Sequence, residues 1–153
     1  MELKRIASFS VDHTVLTPGI YLSRTDYGID TYDLRLKKPN AGDYLETPAM
    51  HTIEHLAATV LRSGELSEHI IYFRPMGCRT GFYLLVRELS AEQVVEAVKR
   101  TFAFIADFDG KIPGTDEIEC GNYLEHDLAG ARREAQKYND VIKNLTKEDI
   151  YYK

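Results

Sequence analysis

Cysteine is scarce in this chain: Cys78 and Cys120 are the only two among 153 residues. A disulfide-stapled scaffold is therefore excluded. One structural disulfide remains open, but a domain this size does not need one. No stretch approaches the roughly 18 apolar residues that span a bilayer. Excess positive charge is missing as well: nineteen Lys and Arg against 24 Asp and Glu give a net charge of −5, with no basic stripe. Nucleic acid or an anionic membrane as main partner would require the opposite balance. The opening residues, MELKRIASFSVDH, mix charges with too short an apolar run for an export signal. The expectation is a cytoplasmic protein whose two thiols are reduced and available for chemistry. Internal repeats and low-complexity stretches are absent too, so residues 1–153 read as a single domain.

What is present is the composition of a globular protein, 44% hydrophobic and 28% charged, enough to build a substantial core. Two β-type runs, Ile20 to Arg24 and Thr31 to Lys37, flank turn residues Asp26 to Gly28 and predict a hairpin. The second run alternates, with Tyr32, Leu34 and Leu36 on one face and Asp33, Arg35 and Lys37 on the other. Thr47 and Pro48 predict a helix start, as N-cap and first helical residue. Ile53, Leu56, Ala57, Val60 and Leu61 give that helix an apolar stripe, and Gly64 ends it. HIIYF and GFYLLVREL read as two further strands around the loop RPMGCRT. Ser90 and Gln93 form a capping box that starts a helix carrying Val94, Val95, Val98, Phe102 and Ile105. A last helix is expected over roughly Tyr123 to Lys143, with Leu124, Leu128, Ala131 and Ala135 at helical spacing. Hairpins interrupting strand–helix alternation point to an α+β fold, an antiparallel β-sheet with helices packed on it.

The stretch AMHTIEHLAATVLRSG carries the chemistry. His51 and His55 lie one helical turn apart, so both imidazoles can aim at one metal ion. Glu54 lies between them, near enough to act as a base without being a ligand. A helix with two solvent-facing histidines is the plain alternative. Cys120, in IECGNY, is the leading candidate for a third ligand, since a thiolate suits zinc or iron and a position just before a helix favours negative charge. A buried, inert cysteine is the competing reading. Three protein ligands leave a coordination position open, as catalytic sites do. Cys78, in RPMGCRTGFYL, has Arg79 beside it to favour a thiolate. It could equally tuck a small apolar group under a sheet.

In chain order, SFSVDH, YDLRL, HTIEHL, PMGCRTGFYL and ECGNYLEHDL closely resemble the S-ribosylhomocysteine lyase family, from about Ser8 to Ala131. HTIEHL and PMGCRTGFYL are the specific segments. The resemblance implies a metal-dependent carbon–sulfur lyase that cleaves the thioether of S-ribosylhomocysteine by successive carbonyl migrations and β-elimination. The products are homocysteine and 4,5-dihydroxypentane-2,3-dione, the precursor of the autoinducer-2 quorum-sensing signal. It implies His51, His55 and Cys120 as ligands of one ion per subunit, Fe(II) with zinc able to substitute, and Cys78 and Glu54 as the acid/base pair. It further implies Ser8, His13 and Arg35 at the substrate pocket, and a bacterial cytoplasmic homodimer. The plain reading of Ser8 is a turn residue, of His13 a surface or packed histidine, and of Arg35 a solvated strand face. Two departures stand out: Tyr72-Phe73-Arg74 replaces an acidic-led Asp-Ile-Ser before PMGC, and Leu36-Lys37 follows Arg35 where Phe-Cys is usual.

Two other readings compete. His-x-x-Glu-His is also a zinc-protease signature, but that class expects an acidic third ligand and a larger chain. A purely structural metal would need a closed four-ligand shell, completed by Cys78 or His126. His126 otherwise reads as a helix histidine, and His69 as a solvent-facing one.

Overall fold

Tyr27 (φ 54°) and Gly28 (φ 79°) both adopt the left-handed conformation, as a two-residue type I′ hairpin requires. They connect β1 (Gly19–Asp26) to β2 (Ile29–Arg35). The computed structural model describes residues 1–153. A second hairpin of β3 (Ile70–Pro75) and β4 (Gly81–Arg87) completes one antiparallel sheet, in the order β1-β2-β4-β3. Three helices supply the rest: α1 (Thr47–Ser63), α2 (Ala91–Asp107) and α3 (Leu128–Ile142). The α+β architecture is the one expected.

The core lies between one sheet face and the helices. Ile20, Tyr32, Leu34, Phe82, Leu84 and Val86 meet Ile53 and Leu56 of α1, Val98 and Phe102 of α2, and Ala135 and Tyr138 of α3. Ser90 and Gln93 form the expected capping box at the start of α2. The other sheet face carries no helix. Strand pairing puts Asp33, Tyr83 and Arg74 in one row across it, and Thr31, Leu85 and Tyr72 in the next.

Several local expectations are corrected. Glu46, not Thr47, is the N-cap of α1, and Pro48 takes the second helical position. A missing N–H is harmless there too, because the first four amides of a helix have no internal partner. The last helix starts at Leu128 rather than Tyr123, with Asp127 as its cap accepting from the Gly130 amide at 2.9 Å. Residues 125–127 bond to α1 instead of coiling: the Glu125 carbonyl receives His51, while His126 and the Asp127 amide bond to Thr52. Leu124, assigned to the apolar stripe, is left exposed.

The polar side of β2 is not solvated. Asp33, Arg35 and Lys37 are 1%, 3% and 5% exposed. Lys37 is neutralised by Asp43 and Glu134 at 3.0 and 2.8 Å. Arg35 grips Asp33 with two hydrogen bonds, Nε to Oδ1 at 3.0 Å and Nη2 to Oδ2 at 2.7 Å. Burial lowers the pKa of this guanidinium, but the Asp33 hydrogen bond and charge outweigh that and hold it above its ordinary value. Arg35→Ala would strand the Asp33 carboxylate in the interior. The expected cost is about 3–5 kcal/mol of stability, read as a lower urea midpoint at unchanged m-value.

Candidate active site

Helix α1 places His51 and His55 one turn apart, and two carbonyls orient them. His51 Nδ1 donates to the Glu125 carbonyl at 2.7 Å and His55 Nδ1 to the Pro113 carbonyl at 2.9 Å. A carbonyl only accepts, so each Nδ1 carries the proton and each Nε2 is left with its lone pair free. Both lone-pair nitrogens approach the same sulfur. Cys120 Sγ lies 3.5 Å from His51 Nε2 and 3.9 Å from His55 Nε2. Zinc–nitrogen and zinc–sulfur bonds of ordinary length in a tetrahedron separate N and S by about 3.6 Å. These three side chains therefore fit a divalent transition-metal ion, with neutral imidazoles and a soft sulfur as donors.

His126 joins the cluster, its ligand atom within 4.8 Å of the other three. Its ring stacks on His51, centroids 3.9 Å apart at 23°, so the in-plane lone pairs of the two rings run side by side rather than converging. The Thr52 hydroxyl accepts from the Asp127 amide at 3.0 Å and lies 3.0 Å from His126 Nδ1. His126 Nε2 is the chain's one buried side-chain N or O without a hydrogen-bond partner. Burial, reinforced by His51 and His55, pushes its pKa down to about 4. The stacking sets His126 alongside His51, and its ligand atom stays within the group that could hold an ion. Cys78 has no place in the cluster.

Gly114 shows how closely the 113–114 turn clamps His55. Its φ is +72°, and a Cβ there would lie 3.0 Å from His55 Nδ1. Gly114→Ala is expected to tilt His55 and weaken metal binding by about 10–100-fold, the usual penalty for disturbing an outer-shell partner. Competition with a chromophoric chelator measures it.

The proton-transfer candidates lie in two clefts. Glu54 and His55 line one of about 320 Å³, with Arg62, Tyr72, Pro113 and Gly114. Cys78 lines another of about 630 Å³, which also contains Ser8, His13, Arg35, Tyr72 and Tyr83. All the residues singled out for the substrate pocket are thus beside the Cys78 thiol. Tyr72 and its neighbour Phe73 or Arg74 border the two spaces, and only Tyr72 is common to both.

The motif order and this histidine–cysteine geometry agree with the sequence comparison, in which the profile of the S-ribosylhomocysteinase (LuxS) family matches residues 6–149. The chain belongs to the LuxS family. Among its relatives, the S-ribosylhomocysteine lyase of Phocaeicola vulgatus is 47% identical over 157 residues, spanning 98% of both chains. That of Borreliella burgdorferi is 45% identical over 156 residues, and that of Clostridium acetobutylicum 41% over 156, each covering 98% of this chain and 99% of its own.

Within this LuxS chain two local expectations fail. Arg79 does not serve the thiol: it takes a left-handed backbone (φ 60°), donates to the Leu45 carbonyl at 3.1 Å and lies over the Tyr44 ring. Nor does the α3 dipole reach Cys120, because the helix begins eight residues later than that cysteine. The Asn122 amide, 3.4 Å from Sγ, donates to the sulfur instead. Sequence reasoning missed Thr52 and Thr80. Thr80 lies two residues beyond Cys78, its hydroxyl 3.1 Å from Sγ, and that spacing was the available signal. His69 is partly buried and bonds the Arg87 carbonyl through Nδ1 at 3.1 Å, away from the site. No helix of the structure is long and apolar enough to cross a membrane.

Proposed function

We propose that this LuxS-family chain is a metal-dependent S-ribosylhomocysteine lyase, releasing homocysteine and 4,5-dihydroxypentane-2,3-dione in the cytoplasm. The convergence of His51 Nε2, His55 Nε2 and Cys120 Sγ, with both Nδ1 atoms already engaged, is the observation that carries it. These three residues hold one ion per subunit, Fe(II) by preference with zinc as a substitute. When bound, the ion supplies Lewis-acid stabilisation of negative charge developing on the sugar oxygens. Residues 1–153 act as one enzymatic domain.

The sulfur of the substrate sits on carbon 5 of a ribose, so a carbanion at carbon 4 is needed to expel it. The open-chain sugar begins with its carbonyl at carbon 1. Cys78, as thiolate, takes the carbon-2 proton and returns it to carbon 1, while Glu54 moves the hydroxyl proton from oxygen 2 to oxygen 1. The carbonyl is now at carbon 2. A second shift of the same kind puts it at carbon 3. Glu54 then removes the carbon-4 proton, the carbon–sulfur bond breaks, and homocysteine leaves as its thiolate to be protonated. The enol left behind tautomerises to the dione. Ser8 and His13, with Arg35 beneath them, hold the sugar over Cys78.

Cys78 and Glu54 line different clefts of one chain, so we infer a homodimer in which the thiol cleft of one subunit faces the metal-side cleft of the other. The helix-free sheet face supports this reading, since Tyr72 and Arg74 are exposed on it and Leu85 only half-buried. The direct test is thiol release from S-ribosylhomocysteine by anaerobically iron-loaded protein. Homocysteine should appear stoichiometrically with the dione. No release, with unstructured peptide hydrolysed instead, would transfer the site to the protease reading.

A further inference from the structure

Behind Cys78 runs a buried chain of hydrogen bonds to which the proton-transfer scheme gives no part in tuning the thiol. The Tyr152 hydroxyl donates to Asp33 Oδ2 at 2.8 Å, and its ring stacks on Tyr21. Asp33 grips one edge of the Arg35 guanidinium through two hydrogen bonds. Arg35 Nη1 in turn donates to Thr80 Oγ1 at 2.7 Å, and Thr80 Oγ1 lies 3.1 Å from Cys78 Sγ. Asp33, Arg35 and Thr80 are each at most 3% exposed.

The direction of the last bond follows from proton counting. A guanidinium has no lone pair to offer, so the Thr80 oxygen must accept from Arg35. Its single proton is then free, and the neighbour in range is the Cys78 sulfur. A thiolate can only accept, so the contact is at its best when Cys78 is ionised and becomes a charge-assisted bond. The Thr80 backbone is pinned. Its carbonyl receives the amides of Leu36 and Lys37, both at 2.9 Å. The next residue, Gly81, is pressed so tightly on β2 that a Cβ would lie 2.2 Å from the Leu34 carbonyl oxygen.

We propose that Thr80 is a positioning residue that relays the buried Arg35 charge to Cys78 and holds the sulfur as a thiolate aimed into its cleft. The inference rests on the reading of Cys78 as a proton-transferring thiolate. Charged and titratable groups around that cleft are Asp33 and Arg35 of β2, Tyr83 of β4, Arg24 of β1, Tyr72 and Arg74 of β3 and His13 of the N-terminal segment. Only Arg35 touches a group that touches the sulfur. The relay also explains why Arg35 is buried: its guanidinium acts through Thr80 rather than on bulk solvent.

The test is the pH dependence of Cys78 alkylation by iodoacetamide in full-length, metal-loaded protein, followed by peptide mass so that Cys120 is counted separately. Thr80→Val keeps the shape and removes the hydroxyl. Its alkylation midpoint should rise by about one pH unit, an approximately tenfold slower reaction below the wild-type midpoint. Thr80→Ser should keep the wild-type midpoint. Thr80→Ala, expected to shift in the same direction as Val, covers the case in which the valine variant fails to fold by circular dichroism. An unshifted midpoint in the folded hydroxyl-free variant overturns the relay, whatever turnover does. A shifted midpoint whose turnover–pH profile stays put supports the relay and instead retires Cys78 from the proposed proton transfers.

Discussion

Cys78→Ala and Glu54→Gln are each expected to cut homocysteine release by at least about 10²–10⁴-fold, the range a single general acid/base group contributes. Metal content should stay at the wild-type level in both. The separation of effects follows from the geometry. Cys78 is exposed in its own cleft and is no member of the histidine–cysteine cluster. Glu54 lines the cleft beside His55 without joining the ligand atoms. Removing either therefore deletes a proton carrier while the donors for the ion remain. The two variants should also differ in where the reaction stops. Without the thiol, the carbon-2 proton should not exchange with solvent deuterium at all. With Glu54→Gln, exchange at carbon 2 should persist while thiol release fails, because both the proton shifts between the sugar oxygens and the elimination depend on the carboxylate. Proton NMR of the substrate in deuterated buffer distinguishes them.

Cys120→Ala is expected to cost more affinity for the ion than the 10–100-fold lost on disturbing an outer-shell partner, and to abolish turnover with it. Sulfur is the only anionic donor among the three ligand candidates. Its loss leaves two neutral imidazoles four residues apart, which alone make a weak chelate. Metal analysis after dialysis against a mild chelator is the measurement. The protein should nonetheless remain folded, since Cys120 sits in a turn-rich segment outside the 27-residue core cluster. Metal retention should also weaken as pH falls, because protonated imidazoles no longer donate.

Much of this site was legible in the chain itself, and the reason is periodicity. His51 and His55 share a helix face because they are four residues apart, and α1 was announced by its apolar stripe. The four-strand antiparallel sheet followed from two hairpins with recognisable turns. Cys120 could be nominated only by donor chemistry and family resemblance, since nothing local says that a turn 65 residues beyond His55 folds onto α1. The failures share one cause. Alternation along β2 marked Asp33, Arg35 and Lys37 as one polar face, with Arg35 read as solvated, yet all three are buried: Arg35 pairs with Asp33, Lys37 with Asp43 and Glu134, and Thr80 and Tyr152 bond Arg35 and Asp33 from distant segments. Helical spacing likewise extended α3 back to Tyr123, while long-range bonds to His51 and Thr52 hold residues 125–127 out of the helix. Local pattern reports propensity; these segments are decided by tertiary hydrogen bonds. The same blindness hid Thr80, whose role depends on Arg35 arriving from another strand.

The division of the proton carriers between two clefts of one chain is best tested with a mixed dimer. One subunit carries Cys78→Ala and the other Cys120→Ala, each with its own affinity tag, and the doubly tagged species is loaded with iron anaerobically. One of its two sites then combines an intact thiol cleft with an intact metal cluster across the interface, and the other lacks both. Thiol release from S-ribosylhomocysteine should return to about half the wild-type rate, although each parent variant is inactive. A mixed dimer as inactive as its parents, or no doubly tagged species at all, would contradict it.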